Sequence, residues 1–184
     1  MAWSTTKISK LAAARAQLDR AIELWFLDKD PISTHTLAAA AYQLLDDLNK
    51  HRATGQELLY DSIMIKDEYR KEWIQLIKKP VNFFKHANND PEEIIEFAPE
   101  STLIFLMFGT MAINALGELS NDYDNTLITW LAIHKPTFVS KAFLERIQKG
   151  VPANDLHYLA AASKRELFET TLKARAELRA QGKI

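Results

Sequence analysis

The run TLIFLMFGTMAINALGEL, residues Thr102–Leu119, is the most apolar stretch of the chain. It falls short of the roughly 20 residues that a membrane-spanning helix needs and contains Asn114 and Glu118, which favours a buried helix over a membrane span. Apolar residues occupy nearly every side of this helix, as is typical of a helix in the middle of a fold. We therefore predict a central helix over residues 102–119, with Ser101 as its N-cap.

Amphipathic helix patterns extend outward from this run in both directions. Apolar residues at steps of three and four predict helices over residues 7–28, 31–49, 66–79, 124–134, 137–149 and 155–180. Residues 56–65 are apolar but too few for periodicity to separate a helix from an extended segment, and we assign them to a short helix. No segment alternates with period two over a useful length. The sequence thus predicts an all-α, single-domain bundle of seven to eight helices, with a polar, frayed tail at 176–184.

Local signals add detail to three of these helices. Asp30 followed by Pro31 is typical of an N-cap and a first helical position. The small side chains of 38–41 allow a neighbouring backbone to approach closely, so the second helix is predicted to pair tightly with the first. Pro80 lacks an N–H and disfavours helical geometry at Lys79, which predicts a kink or break there, with the helix resuming over 81–86.

Charge and composition exclude several classes of protein. The 184 residues carry 23 Lys and Arg against 24 Asp and Glu, a net charge of −1, whereas a dedicated binder of double-stranded DNA is usually clearly basic. There are no cysteines, so disulfides, thiolate zinc sites and cysteine nucleophiles are excluded. The N-terminal residues show no signal peptide. We expect a cytoplasmic protein that is not embedded in a membrane.

Catalytic motifs of the common enzyme classes are missing from the sequence. None of the five histidines lies in an HExxH motif, and no Glu stands three residues before a His, which argues against helical zinc and di-iron sites. Neither a glycine-rich phosphate loop nor a GxSxG elbow is present. We therefore expect no metal and no cofactor, and hydrolase and nucleotide-kinase functions have no support.

The segment KKPVNFFKHANNDP, residues 78–91, departs from the ordinary helix patterns around it. On a helix beginning at Val81, the side chains of Asn82, Lys85 and His86 share one face. A lysine can stabilise charge on a phosphoryl oxygen, a histidine can exchange a proton near neutral pH, and an amide can orient either group. The candidate catalytic residues are His86, Lys85, Asn82 and Lys79, and the candidate RNA- or anion-binding residues are Lys78, Lys79, Lys85 and Asn88.

A purely structural interpretation accounts for the same residues. Asn82 would cap the helix that resumes after Pro80, His86 would bond a backbone carbonyl at the helix end, and the lysines would be solvated. The sequence leaves both interpretations open.

The layout of residues 5–90 resembles the HEPN superfamily of small helical proteins. The resemblance is carried by the paired-helix stretch LDRAIELWFLDKDPISTHTLAAAAYQLL and by KKPVNFFKHANN. HEPN ribonucleases typically place an arginine a few residues before a histidine; here Lys79 takes that place ahead of His86, and Pro80 replaces the usual polar neighbour. The NxxKH form, 82–86, is similar to motifs in HEPN-like bacterial groups of unknown function that carry NFFKHA.

The resemblance implies RNA binding or metal-independent RNA cleavage, in which a 2′-hydroxyl attacks its neighbouring phosphate. His86 would take or give the proton, Lys79 or Lys85 would stabilise the phosphate charge, and Asn82 would orient the group. HEPN proteins commonly form dimers with their motifs facing across a two-fold axis, so a homodimer is expected. The alternative function is a non-catalytic helical domain for dimerisation or protein interaction, and the sequence does not decide whether the protein is an enzyme.

Overall fold

Helices make up most of the chain in the computed structural model, which describes residues 3–63, 65–88 and 90–183. The α-helices are α1 (Lys10–Phe26), α2 (Pro31–His51), α3 (Asp67–Phe83), α4 (Thr102–Ala115), α5 (Asp122–His134), α6 (Lys141–Gly150), α7 (Ala153–Ala161) and α8 (Lys164–Ala180). Short 3-10 turns occupy Pro99–Ser101 and Pro136–Phe138. The described residues contain no β-strand, so the predicted all-α bundle is confirmed.

The chain divides into two compact units. The first ends at Ala21, resumes at Asp30 and continues to Leu119; the second contains Ile22–Lys29 and the chain from Ser120 onward. The sequence-based division into a segment over 5–90 and further helices over 100–184 stays a prediction.

The core of the first unit forms where α2 packs against α4. The small residues Ala38, Ala39 and Ala41 are buried and α2 packs extensively against α4, while the close pairing of α2 with α1 stays a prediction. Because α4 is apolar on nearly all sides, it can bury surface against several neighbours at once. On another side of α4, a Cβ at Gly109 would lie 2.9 Å from Leu18 Cδ1, so the missing side chain lets α1 approach.

The ends of α2 and α4 illustrate how well local signals predict helix boundaries. Asp30 Oδ1 accepts a hydrogen bond from Ser33 N at 2.6 Å, which confirms the predicted N-cap of α2. The central helix, predicted to continue to Leu119, ends at Ala115 because Gly117 adopts a left-handed φ of 80°. Glu118 N then donates to Ile113 O at 3.2 Å, closing a Schellman motif.

The predicted cap at Ser101 is wrong. Ser101 lies in the 3-10 turn before α4, with helical backbone angles, and its Oγ donates to Ala98 O at 2.7 Å. Since its hydroxyl faces back along the chain, it cannot accept a bond from the first N–H groups of α4.

The described residues of the segment 56–65, which are 56–63 and 65, form turns and irregular backbone rather than the predicted short helix. Their apolar side chains Leu58, Leu59 and Tyr60 are buried, but their carbonyl groups bond to side chains of other elements. Asn49 Nδ2 donates to Gln56 O at 2.8 Å, for example, and other carbonyls of the segment accept from α3. Tertiary hydrogen bonds therefore take the place of helical ones.

The predicted break at Pro80 is also wrong, because α3 continues through Pro80 to Phe83. Pro80 stands in the last turn of α3, where its missing N–H removes a single bond, the one to the carbonyl of Leu76. Leu76 is 67% exposed in the single chain, so this side of α3 is open to water. The helix tolerates the proline for these two reasons.

The second unit is built on aromatic contacts between its helices. Trp25 and Trp130 meet edge to face with ring centroids 4.8 Å apart, and Phe26 stacks on Phe168 at 5.1 Å. Asp122, at the start of α5, accepts from Arg175 Nε at 2.7 Å and pairs with Arg179. The hydrogen bond from Arg179 is the main cause that lowers the pKa of Asp122 to about 2.

The last predicted helix, 155–180, is two helices. The break falls at Ala162, and Ser163 starts α8 with a capping box to Glu166. The serine side chain can satisfy N–H groups of a new helix but not those of a continuing one, which explains the boundary. The tail predicted to fray is helical as far as Ala180.

Candidate functional site

Helix α3 is fixed by two long side chains that reach the turns before it. Arg70 donates from Nη1 to Tyr60 O at 3.2 Å and from Nη2 to Ile65 O at 3.1 Å, while Trp73 Nε1 donates to Leu59 O at 3.2 Å. Ile77 completes the attachment as a buried side chain. These contacts hold α3, whose last turns carry the polar motif, against the rest of the first unit.

A concave surface, which we call the α3 cavity, opens along these last turns. It has a volume of about 820 Å³. It is lined by Ile74, Gln75, Lys78, Lys79, Asn82, Phe83, His86, Asn88, Asp90 and Glu93. The backbone continues in a helical turn beyond Phe83, with His86 N donating to Asn82 O at 3.0 Å. This bond brings the imidazole of His86 back to the same side as Asn82.

The cavity collects the predicted site residues with one exception. Lys78, Lys79, Asn82, His86 and Asn88 all line it. Lys85 does not line it, although it precedes His86 directly. The structure thus brings together the amide, the imidazole and two of the lysines, while the third lysine lies outside the cavity.

The two lysines of the cavity have different surroundings. Lys79 Nζ lies 3.1 Å from Glu93 Oε1, an ion pair in which both side chains remain partly solvated. Lys78 Nζ lies 4.5 Å from the centroid of the Tyr60 ring, an arrangement typical of a cation–π contact. Within the described parts of the chain, Lys78 has no carboxylate partner.

The bonds expected from a structural role of the motif do not occur among the described residues. Asn82 lies inside α3 rather than at its start, and its side chain makes no hydrogen bond there. The His86 ring is exposed and bonds no carbonyl in the described part of the chain. Both side chains are therefore available to a ligand.

A buried histidine supports the chain just behind this surface. His35, on α2, is 1% exposed and is bonded through Nδ1 to Thr102 Oγ1 at 3.0 Å. Its ring meets the rings of Phe84, Phe97 and Phe105 edge to face, with centroids 4.9–5.9 Å apart. Phe84 follows the last residue of α3, so this cluster ties the motif to α2 and α4.

Burial lowers the pKa of His35 to about 4. The protonated ring would need a second acceptor, and Nε2 has no partner within the described residues. His35 is therefore a neutral, structural histidine at neutral pH.

Sequence reasoning overlooked several residues that shape the site. Glu93 and Asp90 line the cavity, Tyr60 contacts Lys78, and His35 contacts Phe84 at the end of α3. For His35 a signal was present, because it falls in the apolar stripe of α2 with Ala38, Ala39 and Tyr42. The other three follow no periodic pattern, and their roles depend on where the turns place them.

In residues 3–63, 65–88 and 90–183, no group of three or more His, Asp or Glu side chains is arranged to hold a metal ion. Over the same described residues, none of the helices has both the length and the apolar character needed to cross a membrane.

No protein-family model matches the chain, and neither does any curated protein or solved structure. The HEPN resemblance accordingly stays untested.

Proposed function

We propose that this protein binds single-stranded RNA in the α3 cavity and cleaves it by attack of the RNA's own 2′-hydroxyl. The observation that carries the proposal is the convergence of Lys78, Asn82 and His86 on one concave, exposed surface. A cation, an amide and an imidazole are the groups that a phosphodiester needs for charge stabilisation, orientation and proton transfer.

The proposed reaction assigns one step to each group. His86, as the neutral base, takes the proton of the 2′-hydroxyl while its oxygen forms a bond to phosphorus. The bond from phosphorus to the 5′-oxygen breaks, and the imidazolium returns the proton to that leaving oxygen. Lys78 stabilises the charge on the non-bridging phosphate oxygens, and Asn82 orients the phosphate or the imidazole.

The charges that line the cavity indicate which kind of nucleic acid it binds. Two lysines line it together with Asp90 and Glu93, so the lining is not the broad basic surface that double-stranded DNA binders present. Phe83 adds an aromatic side chain on which a base can stack. A short single-stranded segment, with one phosphate near Lys78, fits this lining better than a duplex.

The test uses His86→Ala with a matched histidine control. Parent and variant are assayed for cleavage of a fluorescein-labelled single-stranded RNA on denaturing gels, at low salt, where phosphate contacts are strongest. General acid–base catalysis contributes on the order of 10²–10⁴ in rate, and His86→Ala should lose that much. Because His86 is exposed, the variant should melt within a few degrees of the parent.

His51→Ala is the control, because His51 is an exposed histidine at the end of α2 that does not line the cavity. It should cleave at the parental rate. If the parent neither binds nor cleaves the RNA at low salt, the proposed function is wrong. If it binds RNA and His86→Ala cleaves equally well, the catalytic assignment is wrong and RNA binding alone remains.

A second candidate function, non-catalytic dimerisation, is favoured by the outer face of α3. Tyr69, Trp73 and Leu76 lie on one side of the helix at steps of four and three, and Tyr69 and Leu76 are more than half exposed. With Ile65 and Glu72 they line a shallow groove of about 450 Å³. Exposed apolar surface of this kind is typical of a contact between proteins.

We infer that a second copy of the chain covers this face. Sedimentation equilibrium should then give about twice the 21.0 kDa of one chain at micromolar concentration. Leu76→Glu should return the protein to a monomer, while Leu119→Glu, at an exposed leucine away from α3, should not. A parent that sediments as a monomer would remove the dimer from consideration.

A further inference from the structure

Two neighbouring lysines enter the α3 cavity, and their partners decide which of them can bind an anion. Lys79 already has a counter-ion, since its Nζ lies 3.1 Å from Glu93 Oε1. A phosphate approaching Lys79 would have to compete with that carboxylate. Lys78 has the Tyr60 ring 4.5 Å from its Nζ and, among the described residues, no carboxylate to displace.

Tyr60 is held rigidly beneath Lys78. The residue is 6% exposed, its carbonyl accepts from Arg70 Nη1 at 3.2 Å, and its ring meets that of Tyr42 edge to face at 5.1 Å. Burial raises the pKa of its phenol, so the ring carries no charge at neutral pH. The contact with Lys78 is therefore between a cation and a neutral π face, which orients the ammonium group without neutralising it.

The segment that carries Tyr60 is joined to α2 by an ion cluster in which Asp46 is buried while Lys50 and Asp61 are about half exposed. Asp46 on α2 is 1% exposed, and Lys50 Nζ bridges it at 3.0 Å to Asp61 at 2.9 Å. Asp61 directly follows Tyr60 in the chain. This bridge adds a second, partly solvated link between the segment and α2, while the burial of Tyr60 and its contacts with Arg70 and Tyr42 hold the ring.

From these contacts we propose that Tyr60 is a positioning residue that holds Lys78 as the phosphate-binding cation of the cavity, while Glu93 masks Lys79. This inference rests on the proposed RNA-binding function and assigns its charge recognition to one lysine of the adjacent pair. Lys78 lines the cavity, and the contact with the Tyr60 ring orients its ammonium group. Lys79 contributes no net charge while its pair with Glu93 is closed.

The test measures the affinity for a short fluorescein-labelled oligouridylate by fluorescence anisotropy, over a series of salt concentrations. Lys78→Met should weaken binding and reduce the salt slope by about 0.7, the value expected for one lost contact to a single strand. Tyr60→Leu, which removes the ring, should weaken binding about two- to fivefold. Tyr60→Phe keeps the ring and should bind within about twofold of the parent.

A double-mutant cycle separates positioning from a general structural role. If Tyr60 acts through Lys78, Tyr60→Leu should cause no further loss in the Lys78→Met background. A merely structural role would weaken binding equally in both backgrounds, and that result would overturn the inference. Melting curves of each variant identify any that is not folded, and Tyr60→Phe then provides the folded comparison.

For Lys79, which Glu93 masks, we expect the opposite effect, a tighter binding when its partner is removed. Glu93→Gln should free Lys79 and tighten binding about two- to fivefold, as expected for one exposed, screened charge. The double variant Lys79→Met with Glu93→Gln removes the pair without changing net charge and should bind within about twofold of the parent. If that double variant loses as much affinity as Lys78→Met, Lys79 is the binding cation. If the parent does not bind the oligonucleotide at all, the proposed function and this inference both fail.

Discussion

The buried His35 makes the stability of the first unit depend on pH between the ordinary histidine pKa of 6.5 and about 4. Burial lowers the pKa of His35 from the ordinary 6.5 to about 4 in the folded chain. Below pH 6.5 the unfolded chain binds a proton that the folded chain does not accept until pH falls to about 4. The contribution of neutral His35 to the free energy of unfolding is therefore fully present above the pKa of the unfolded chain. It is lost progressively as pH falls toward the pKa of His35 in the folded chain.

The size of the effect follows from the difference between the two pKa values. Between the two pKa values, the contribution of His35 to the free energy of unfolding falls by about 3 kcal/mol. About 2 kcal/mol should already be lost at about pH 5. Each kilocalorie is a large fraction of the stability of a small domain, so the loss should be measurable by urea unfolding followed by circular dichroism.

The variant that isolates this effect is His35→Gln, which keeps a polar group near Thr102 but cannot titrate. It should be less stable than the parent at neutral pH and should lose less free energy of unfolding than the parent between about pH 7 and about pH 5. His51→Ala, at an exposed histidine, should keep the parental pH dependence. If the parent and His35→Gln lose the same free energy of unfolding on acidification, His35 is either accessible to water or bonded at Nε2, and the reasoning fails.

Two further predictions concern the cores of the two units. Leu106→Ala should cost about 2–5 kcal/mol by urea unfolding, because Leu106 is fully buried on the central helix; a neutral effect would mean that this side chain is not in a core. Asp122→Asn should cost about 1–2 kcal/mol at neutral pH, because the carboxylate of Asp122 pairs with two arginines. That contribution is present above the ordinary carboxyl pKa of 3.8 and lost as pH falls toward about 2, so the variant should unfold with a weaker pH dependence in that range, and an unchanged dependence would exclude the pair as its source.

Much of the helical layout could be predicted because its signals are local. Asp30 with Pro31 starts α2 as expected, since a side-chain oxygen reaches an N–H three residues away whatever the rest of the chain does. The central helix also begins where predicted, at Thr102, although no side chain caps its start. The errors at Pro80 and at 56–65 come from conditions outside the segment: the exposure of Leu76 in one case, and hydrogen bonds from Arg70 and Trp73 in the other.

The candidate site likewise combines features that the local sequence predicts with contacts between distant segments. Asn82 and His86 lie within one turn of each other, so the sequence by itself determined that they share a face, along with the all-α class and the presence of a buried central helix. Only the tertiary structure decided that Glu93 neutralises Lys79 and that the Tyr60 ring lies beneath Lys78. Those contacts join residues 14 and 18 positions apart, beyond the reach of a helical turn. These two contacts form because the segments before and after α3 fold back onto the helix. The course of those segments depends on burial and hydrogen bonding across the whole first unit.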